Sequence, residues 1–167
     1  MKTFDQLENE DAPNIHKMLS SHERNLRSIL LHKILQLNGS VPLSELRSQA
    51  EDAAIDVSPT LASLKEKGLI ALQDDGTVSG IYPFSAVPTR HKVQLKNGRS
   101  FFAMCAIDSL GIAYELEEDA GISSSCSQCN AAISIEITNG EISQFKPATS
   151  RALHVALGDY KDWANTC

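Results

Sequence analysis

The spacing of hydrophobic residues predicts three helices in the first part of the chain. In residues 24–39 the apolar positions recur at helical spacing, and an Asn-Gly pair ends the pattern. A second helix is predicted from about Leu43, after a serine and a proline that favour a helix start. A third is predicted within residues 56–70, with Ser58 as its N-cap and Pro59 at its first helical position.

A short hairpin is predicted directly after these helices. Residues 69–83 alternate between apolar and polar positions around an Asp-Gly pair, which is a hairpin signal. Three helices followed by two strands is the element order of a winged helix, so we predict a winged-helix-like helical domain over residues 1–84. The next segment, PFSAVPTR at residues 83–90, has two prolines and no period, and is interpreted as a linker.

The pattern changes after this segment, and strands become the main predicted element. Short alternating stretches predict strands at residues 91–95, 99–103, 121–125, 131–143 and 152–157. The segment at residues 105–118 has apolar positions over most of a helical surface, which predicts one well-buried helix. Residues 85–167 are therefore predicted to form a small domain of short strands around one helix, and the whole chain is placed in the α+β class.

Composition and charge restrict the classes of function. The 167 residues are 42% hydrophobic and 22% charged, as in globular proteins. The net charge is −6, and residues 1–85 contain eight lysines and arginines against twelve acidic residues, so nucleic acid is not a favoured partner. No apolar run reaches the roughly 20 residues that span a membrane, and the polar N-terminus is unlike a secretory signal. A cytoplasmic protein without a membrane partner is predicted.

All four cysteines lie in the second half, at Cys105, Cys126, Cys129 and Cys167. In a reducing cytosol such clustering indicates metal binding or thiol chemistry more than disulfides. Cys126 and Cys129 form a C-x-x-C pair, which is half of a zinc site, and no second pair completes it. Redox pairs of this type usually open a helix after a strand, a context that is not predicted here. Their role stays uncertain at this level.

Cys105 and Asp108 fall where a predicted strand ends and the buried helix begins. A thiol at a helix N-terminus is favoured as thiolate by the helix dipole and the unpaired backbone N–H groups. Residues three apart share a helix face, so the thiol and the carboxyl are expected to face the same cavity. The alternative is ordinary capping, in which an acidic residue stabilises the first turn of the helix.

The segment RSFFAMCAIDSLGIAYEL, with the GISSSCS and AAISIEIT segments after it, resembles the catalytic domain of the organomercurial (alkylmercury) lyases. Over residues 25–167, the family pattern of Cys-Ala-Leu-Asp is matched by Cys105 to Asp108, with Cys126 21 residues after Cys105 and Cys167 a further 41 residues on. The resemblance implies that Cys105, Cys167 and Asp108 are the catalytic residues and contact mercury. It implies a structural role for Cys126.

The resemblance also implies the reaction, which is protonolysis of a carbon–mercury bond to a hydrocarbon and Hg(II). Soft thiolates bind the mercury, Asp108 transfers the proton, and no organic cofactor is needed. Mercuric reductase is the implied acceptor of Hg(II). The chain differs from the family at Met104, where tryptophan is usual, and at Cys129, an extra thiol. Because family members continue past the position of Cys167, we expect either that the chain is truncated at its C-terminus or that the site lacks one of its walls.

Two other functions are compatible with the same residues. One is a non-catalytic protein that binds a soft metal through its cysteines. The other is a metal-sensing regulator that binds DNA through the winged helix, which the acidic charge of residues 1–85 disfavours.

Overall fold

A computed structural model describes residues 18–52 and 54–152 of the chain. The described part of the first half contains three helices: α1 (Ser21–Leu37), α2 (Leu43–Asp52) and α3 (Val57–Glu66). Helix α1 packs against α2 and α3. It starts at Ser20, whose hydroxyl accepts the backbone N–H of Glu23, and ends at Asn38 in the left-handed conformation. The three predicted helices are confirmed.

The predicted start of α3 is wrong by two residues. The helix begins at Val57 with Asp56 as its N-cap, so Ser58 and Pro59 both lie inside its first turn. The Asp56 side chain makes no capping hydrogen bond, and Val57 packs against the hydrophobic core. Burial of Val57 therefore outweighs the capping preference of Ser58.

Within residues 18–52 and 54–152, eight strands form one antiparallel sheet in the order β1-β2-β3-β5-β4-β6-β7-β8. The strands are β1 (Ile70–Leu72), β2 (Val78–Ile81), β3 (Phe84–Ser85), β4 (Lys92–Leu95), β5 (Ser100–Ala103), β6 (Ala120–Ser125), β7 (Ala132–Thr138) and β8 (Glu141–Lys146). The hairpins predicted from the Asp-Gly and Asn-Gly pairs are confirmed, because β1–β2, β4–β5 and β7–β8 are each joined at such a pair. Together with the helices they confirm the α+β class.

The segment interpreted as a linker is partly a strand. Phe84 and Ser85 form β3, which pairs with β2 on one side and with β5 on the other. The two prolines had suggested an irregular segment, but this strand has only two residues and needs no period. Hydrogen bonds of one sheet thus run across the predicted domain boundary at residue 84, and that boundary stays a prediction.

One helix, α4 (Ala106–Glu115), covers the middle of the sheet by packing against β4, β5 and β6. Its Ile112 and Ala113 are buried, as the apolar pattern predicted. They belong to a single hydrophobic cluster that runs from Leu19 near α1 to Ile137 on β7. Packing of this cluster stabilises the end of the central strand β5, after which α4 begins.

Some predicted features lie outside the described residues. These are Cys167 and all but the first residue of the strand predicted at 152–157. Among the described residues, none of the helices combines the length and the apolar composition needed to cross a membrane.

A buried carboxylate joins α1 to the end of α3. Glu23 is 5% exposed and accepts hydrogen bonds from Ser63 and Lys67 as well as from the backbone of Ser20. Burial raises the pKa of Glu23, but these hydrogen bonds together outweigh burial and lower it from 4.5 to about 2. Since the ionised form is favoured in the folded state, Glu23 stabilises the fold above pH 4.5, and this contribution is lost as the pH falls towards 2.

Replacement of Glu23 by glutamine is expected to lower the free energy of unfolding at pH 7 by about 2 to 3 kcal/mol. The reason is loss of the charge that Lys67 and Ser63 stabilise. Urea unfolding at pH 7 and pH 3 measures the effect, which should shrink at pH 3. Glu45→Gln is the matched control, because Glu45 pairs with Lys33 at the surface and its loss should cost no more than about 0.5 kcal/mol. Equal losses for both variants would contradict the expected role of Glu23.

Candidate active site

Cys105 is the N-cap of helix α4, immediately beyond the end of strand β5. Its backbone is extended, with φ −139° and ψ 179°, and its sulfur accepts the backbone N–H of Asp108 at 3.4 Å. The side chain is half-buried. The thiol thus lies at the positive end of the helix dipole, as predicted, in a place that a small reagent can reach.

Asp108 completes a reciprocal capping box with Cys105. One Asp108 carboxylate oxygen accepts the backbone N–H of Cys105 at 3.1 Å, while the Asp108 N–H is bonded to the sulfur. The capping interpretation is therefore confirmed, with a thiol in the position that serine or threonine usually takes. Capping does not exclude chemistry, since the same geometry brings the thiol and the carboxyl into contact.

The Asp108 carboxyl is unusually buried for an acidic capping residue. It is 3% exposed, whereas most acidic residues in first turns face solvent. Burial raises its pKa from 3.8 to about 6, although hydrogen bonds from the Cys105 thiol, the Cys105 backbone and the Tyr82 hydroxyl oppose this effect. A carboxyl with a pKa near 6 exchanges its proton readily at neutral pH.

Tyr82 reaches this carboxyl from the first half of the chain. The residue after it, Pro83, accepts the backbone N–H of Met104 at 3.1 Å, so the end of β2 lies beside the end of β5. Helix α1 supports this arrangement through Arg27, whose guanidinium donates to the backbone carbonyl of Tyr82 at 2.9 Å. Sequence reasoning missed Tyr82 and Arg27, because no local pattern relates them to Asp108.

The four residues that directly precede Cys105, in β5 and at its end, are apolar and mostly buried. Met104 is 7% exposed, and its methyl group lies so close to Gly80 that a Cβ there would be 2.7 Å away. Phe84 and Phe101 pack edge to face, with ring centroids 5.6 Å apart. Met104 therefore fills space over the bare backbone of Gly80, and it is part of the core next to the thiol.

Cys126 and Cys129 lie in the turn between β6 and β7. The turn is closed by two backbone hydrogen bonds of 2.9 Å, from Cys126 to Ala131 and from Asn130 to Cys126. The Cys126 sulfur is half-buried and accepts the backbone N–H of Gln128 at 3.4 Å, whereas Cys129 is exposed. Neither cysteine belongs to the buried core.

The sheet topology brings the two thiol-bearing segments to one edge. Strands β5 and β6 both pair antiparallel with β4, so they run parallel to each other and end on the same side. Cys105 follows β5 and Cys126 follows β6, which places them about 10 Å apart across the strand direction. Within the described ranges, no group of three or more His, Cys, Asp or Glu side chains is arranged to hold a metal ion. Cys167 lies outside those ranges.

The chain is similar to a known protein family and to a solved structure. The family model described as alkylmercury lyase matches residues 84–167. Among solved structures, the crystal structure of the mercury-bound form of MerB2 is similar with a TM-score of 0.56 and 23% identity, over 77% of this chain and 69% of that one. At this identity the likeness shows the fold. No curated protein sequence matches the chain.

Proposed function

Because the chain belongs to the alkylmercury lyase family, we propose that Cys105, Asp108 and Cys167 are the groups with which it cleaves carbon–mercury bonds. The observation that carries this proposal is the contact between the half-buried Cys105 thiol and the buried Asp108 carboxyl at the start of α4. A thiol in contact with a carboxyl whose pKa lies near neutrality supplies both the mercury ligand and the proton that the reaction needs.

The first step is transfer of the Cys105 proton to the Asp108 carboxylate. The resulting thiolate bonds to the mercury of R–Hg–X and displaces X⁻. Sulfur is the donor that soft metals prefer, and the helix N-terminus stabilises the thiolate before the attack. After this step, Asp108 holds a proton next to the carbon–mercury bond.

The second step needs another sulfur on the mercury. We propose Cys167 for this role on the basis of its spacing in the sequence. The Cys167 thiol releases its proton to solvent, where it balances the displaced X⁻, and the resulting thiolate adds electron density to the metal and makes the bound carbon more basic. Protonated Asp108 then delivers its proton to carbon, R–H leaves, and Hg(II) remains on the two sulfurs. The proton taken from Cys105 is the one that leaves in the hydrocarbon, so no organic cofactor is required.

Tyr82 is proposed as a positioning residue for this proton transfer. Its hydroxyl donates to the Asp108 carboxylate and lowers the pKa of Asp108 against the effect of burial. Without this donor, the pKa of Asp108 would be higher. The carboxyl would then be protonated up to a higher pH, and it would be a poorer acceptor for the Cys105 proton.

The pH profile of phenylmercury cleavage tests the role of Asp108. We expect kcat/KM for benzene release to fall about tenfold per pH unit below pH 6, because the free enzyme needs ionised Asp108 to accept the Cys105 proton. In Tyr82→Phe the acid limb should move to higher pH. Tyr114→Phe is the matched control, since Tyr114 lies six residues further along α4, about 9 Å from Asp108. A flat profile between pH 5 and 7 would remove Asp108 from the proton transfer, and equal limbs in Tyr82→Phe and wild type would refute the positioning role of Tyr82.

We further propose that the three helices and the β1–β2 hairpin are a winged-helix-like module that supports the reaction centre. Arg27 on α1 and Tyr82 after β2 both contribute to the surroundings of Asp108. The alternative, a metal-sensing DNA-binding regulator, gains no support from the acidic charge of residues 1–85. A cytoplasmic location and transfer of the product Hg(II) to a mercuric reductase complete the proposal.

A further inference from the structure

We propose that Cys126 and Cys129 form a second, two-thiol site that binds Hg(II), separate from the reaction centre at Cys105. Nothing in the lyase reaction uses these two residues, and Cys129 is the thiol with no counterpart in the family pattern. The proposal rests on the geometry of their turn, the hydrogen bonding of the Cys126 sulfur and their place in the sheet.

The turn holds the two thiols together before any metal arrives. Backbone hydrogen bonds close it at both ends, and Asn130 takes a left-handed conformation with φ 56°. The Cys129 thiol lies close enough to Cys126 to act on its sulfur. Two thiols that one short, closed turn already holds near each other need little rearrangement to bind one soft ion between them.

The surroundings of Cys126 favour its thiolate. Backbone N–H groups of Cys129 and Gln128 donate to its sulfur, and the Cys129 thiol and the charge of Arg90 act in the same direction, so that the pKa of Cys126 is lowered. Hydrogen bonds of this kind stabilise metal-bound sulfur as well as the unbound thiolate. The same backbone hydrogen bond from Gln128 would remain available to a Cys126 sulfur that is bound to a metal ion.

The number of donors selects the kind of ion. The described residues offer no third His, Cys, Asp or Glu near this pair, so they do not complete the four-ligand set of structural zinc. A soft ion that is satisfied by two sulfurs, as Hg(II) is, fits the pair. Binding is a simple exchange in which the two thiols bond to Hg(II) and two protons pass to the ligands that leave, with no oxidant or reductant involved.

The position of the pair in the sheet places it near the reaction centre without merging with it. The backbone N–H of Cys126 continues the β6–β7 pairing by donating to Ala131, so the strand alternation extends to Cys126. This alternation puts Cys126 on the same face as Ile122, which is buried where α4 packs on β6. Cys105 caps the N-terminus of α4 at the end of β5, and β5 lies two strands away from β6 in the sheet.

The test uses the full-length Cys105→Ser/Cys167→Ser variant, in which only Cys126 and Cys129 remain as thiols. It is incubated with mercuric chloride and increasing glutathione, and bound mercury is counted by native mass spectrometry. We expect one Hg(II) per chain, retained at glutathione concentrations at least about tenfold higher than those that strip a further Cys129→Ser variant, because two linked sulfurs outcompete a single thiol.

Equal retention with and without Cys129, or no retention in either variant, would overturn the two-thiol site. Because Cys129 is exposed, its replacement by serine should leave folding intact, which the unfolding midpoint verifies. The test needs no carbon–mercury cleavage, so its failure would leave the proposed function untouched. Conversely, turnover by Cys105→Ser would refute the proposed function without affecting this site.

Discussion

Cys105→Ser is expected to lower the first-turnover rate of benzene release from phenylmercury by at least about a thousandfold. The sulfur of Cys105 is the group that bonds to mercury, and a hydroxyl is too hard a donor to replace it. Gas chromatography of benzene under single-turnover conditions measures the loss. Cys167→Ser should cause a loss of the same order, because one sulfur alone leaves the carbon less basic.

The serine substitution at Cys105 should not disturb the fold, which makes its result easy to interpret. Serine is a better N-cap than cysteine and can accept the same hydrogen bond from the Asp108 backbone N–H. The unfolding midpoint is therefore expected to stay the same or rise. If Cys105→Ser turns over at the wild-type rate, the Cys105 thiol is not the nucleophile. If Cys167→Ser does so, the second sulfur comes from another residue.

Asp108→Asn is expected to separate mercury binding from hydrocarbon release. The amide has a similar shape and still accepts the Cys105 backbone N–H, but it carries no proton that it can deliver to carbon. The rate of benzene release should fall by about 10² to 10⁴, the usual range for general acid–base catalysis. Mercury should remain on the protein in gel filtration, and an unchanged release rate would remove Asp108 from the mechanism.

The same substitution should make the protein more stable at neutral pH. In the wild type the folded-state pKa of Asp108 is about 6, above its ordinary value of 3.8, so its ionisation destabilises the fold increasingly as the pH rises from about 4 to about 6. Asparagine has no charge to bury. Asp108→Asn is therefore expected to gain up to about 3 kcal/mol over wild type at pH 7 and almost nothing at pH 4.

Urea unfolding of both proteins at the two pH values measures this difference, and other titrating groups such as Glu23 cancel in it. Asp119→Asn is the matched control. The Asp119 carboxylate accepts the backbone N–H of Asn139 and pairs with Lys96, and these contacts lower its pKa. Removing its charge should therefore not raise stability at pH 7. A gain for Asp119→Asn equal to that for Asp108→Asn would show that the gain does not come from burial of Asp108.

The elements of this fold could be predicted from the sequence where local chemistry decides them. Turn pairs such as Asn139-Gly140 adopt left-handed backbone at low cost, and they joined the strands that they were predicted to join. The start of α4 was predicted at Cys105 from the change of pattern there, and the structure explains it, because Cys105 and Asp108 are three residues apart and cap each other. Prediction was weakest at Phe84 and Ser85, where a two-residue strand depends on partners distant in sequence.

By itself, the sequence determined the helices, the hairpins and the pairing of Cys105 with Asp108, because each depends on contacts within a few residues. The tertiary structure alone decided that Asp108 is 3% exposed and that Tyr82 donates to it. It also decided that β5 and β6 end at the same edge of the sheet, so that Cys105 and Cys126 both lie there. Burial and strand order arise from pairing between distant segments, and a carboxyl acquires a pKa near 6 only when such packing removes it from water.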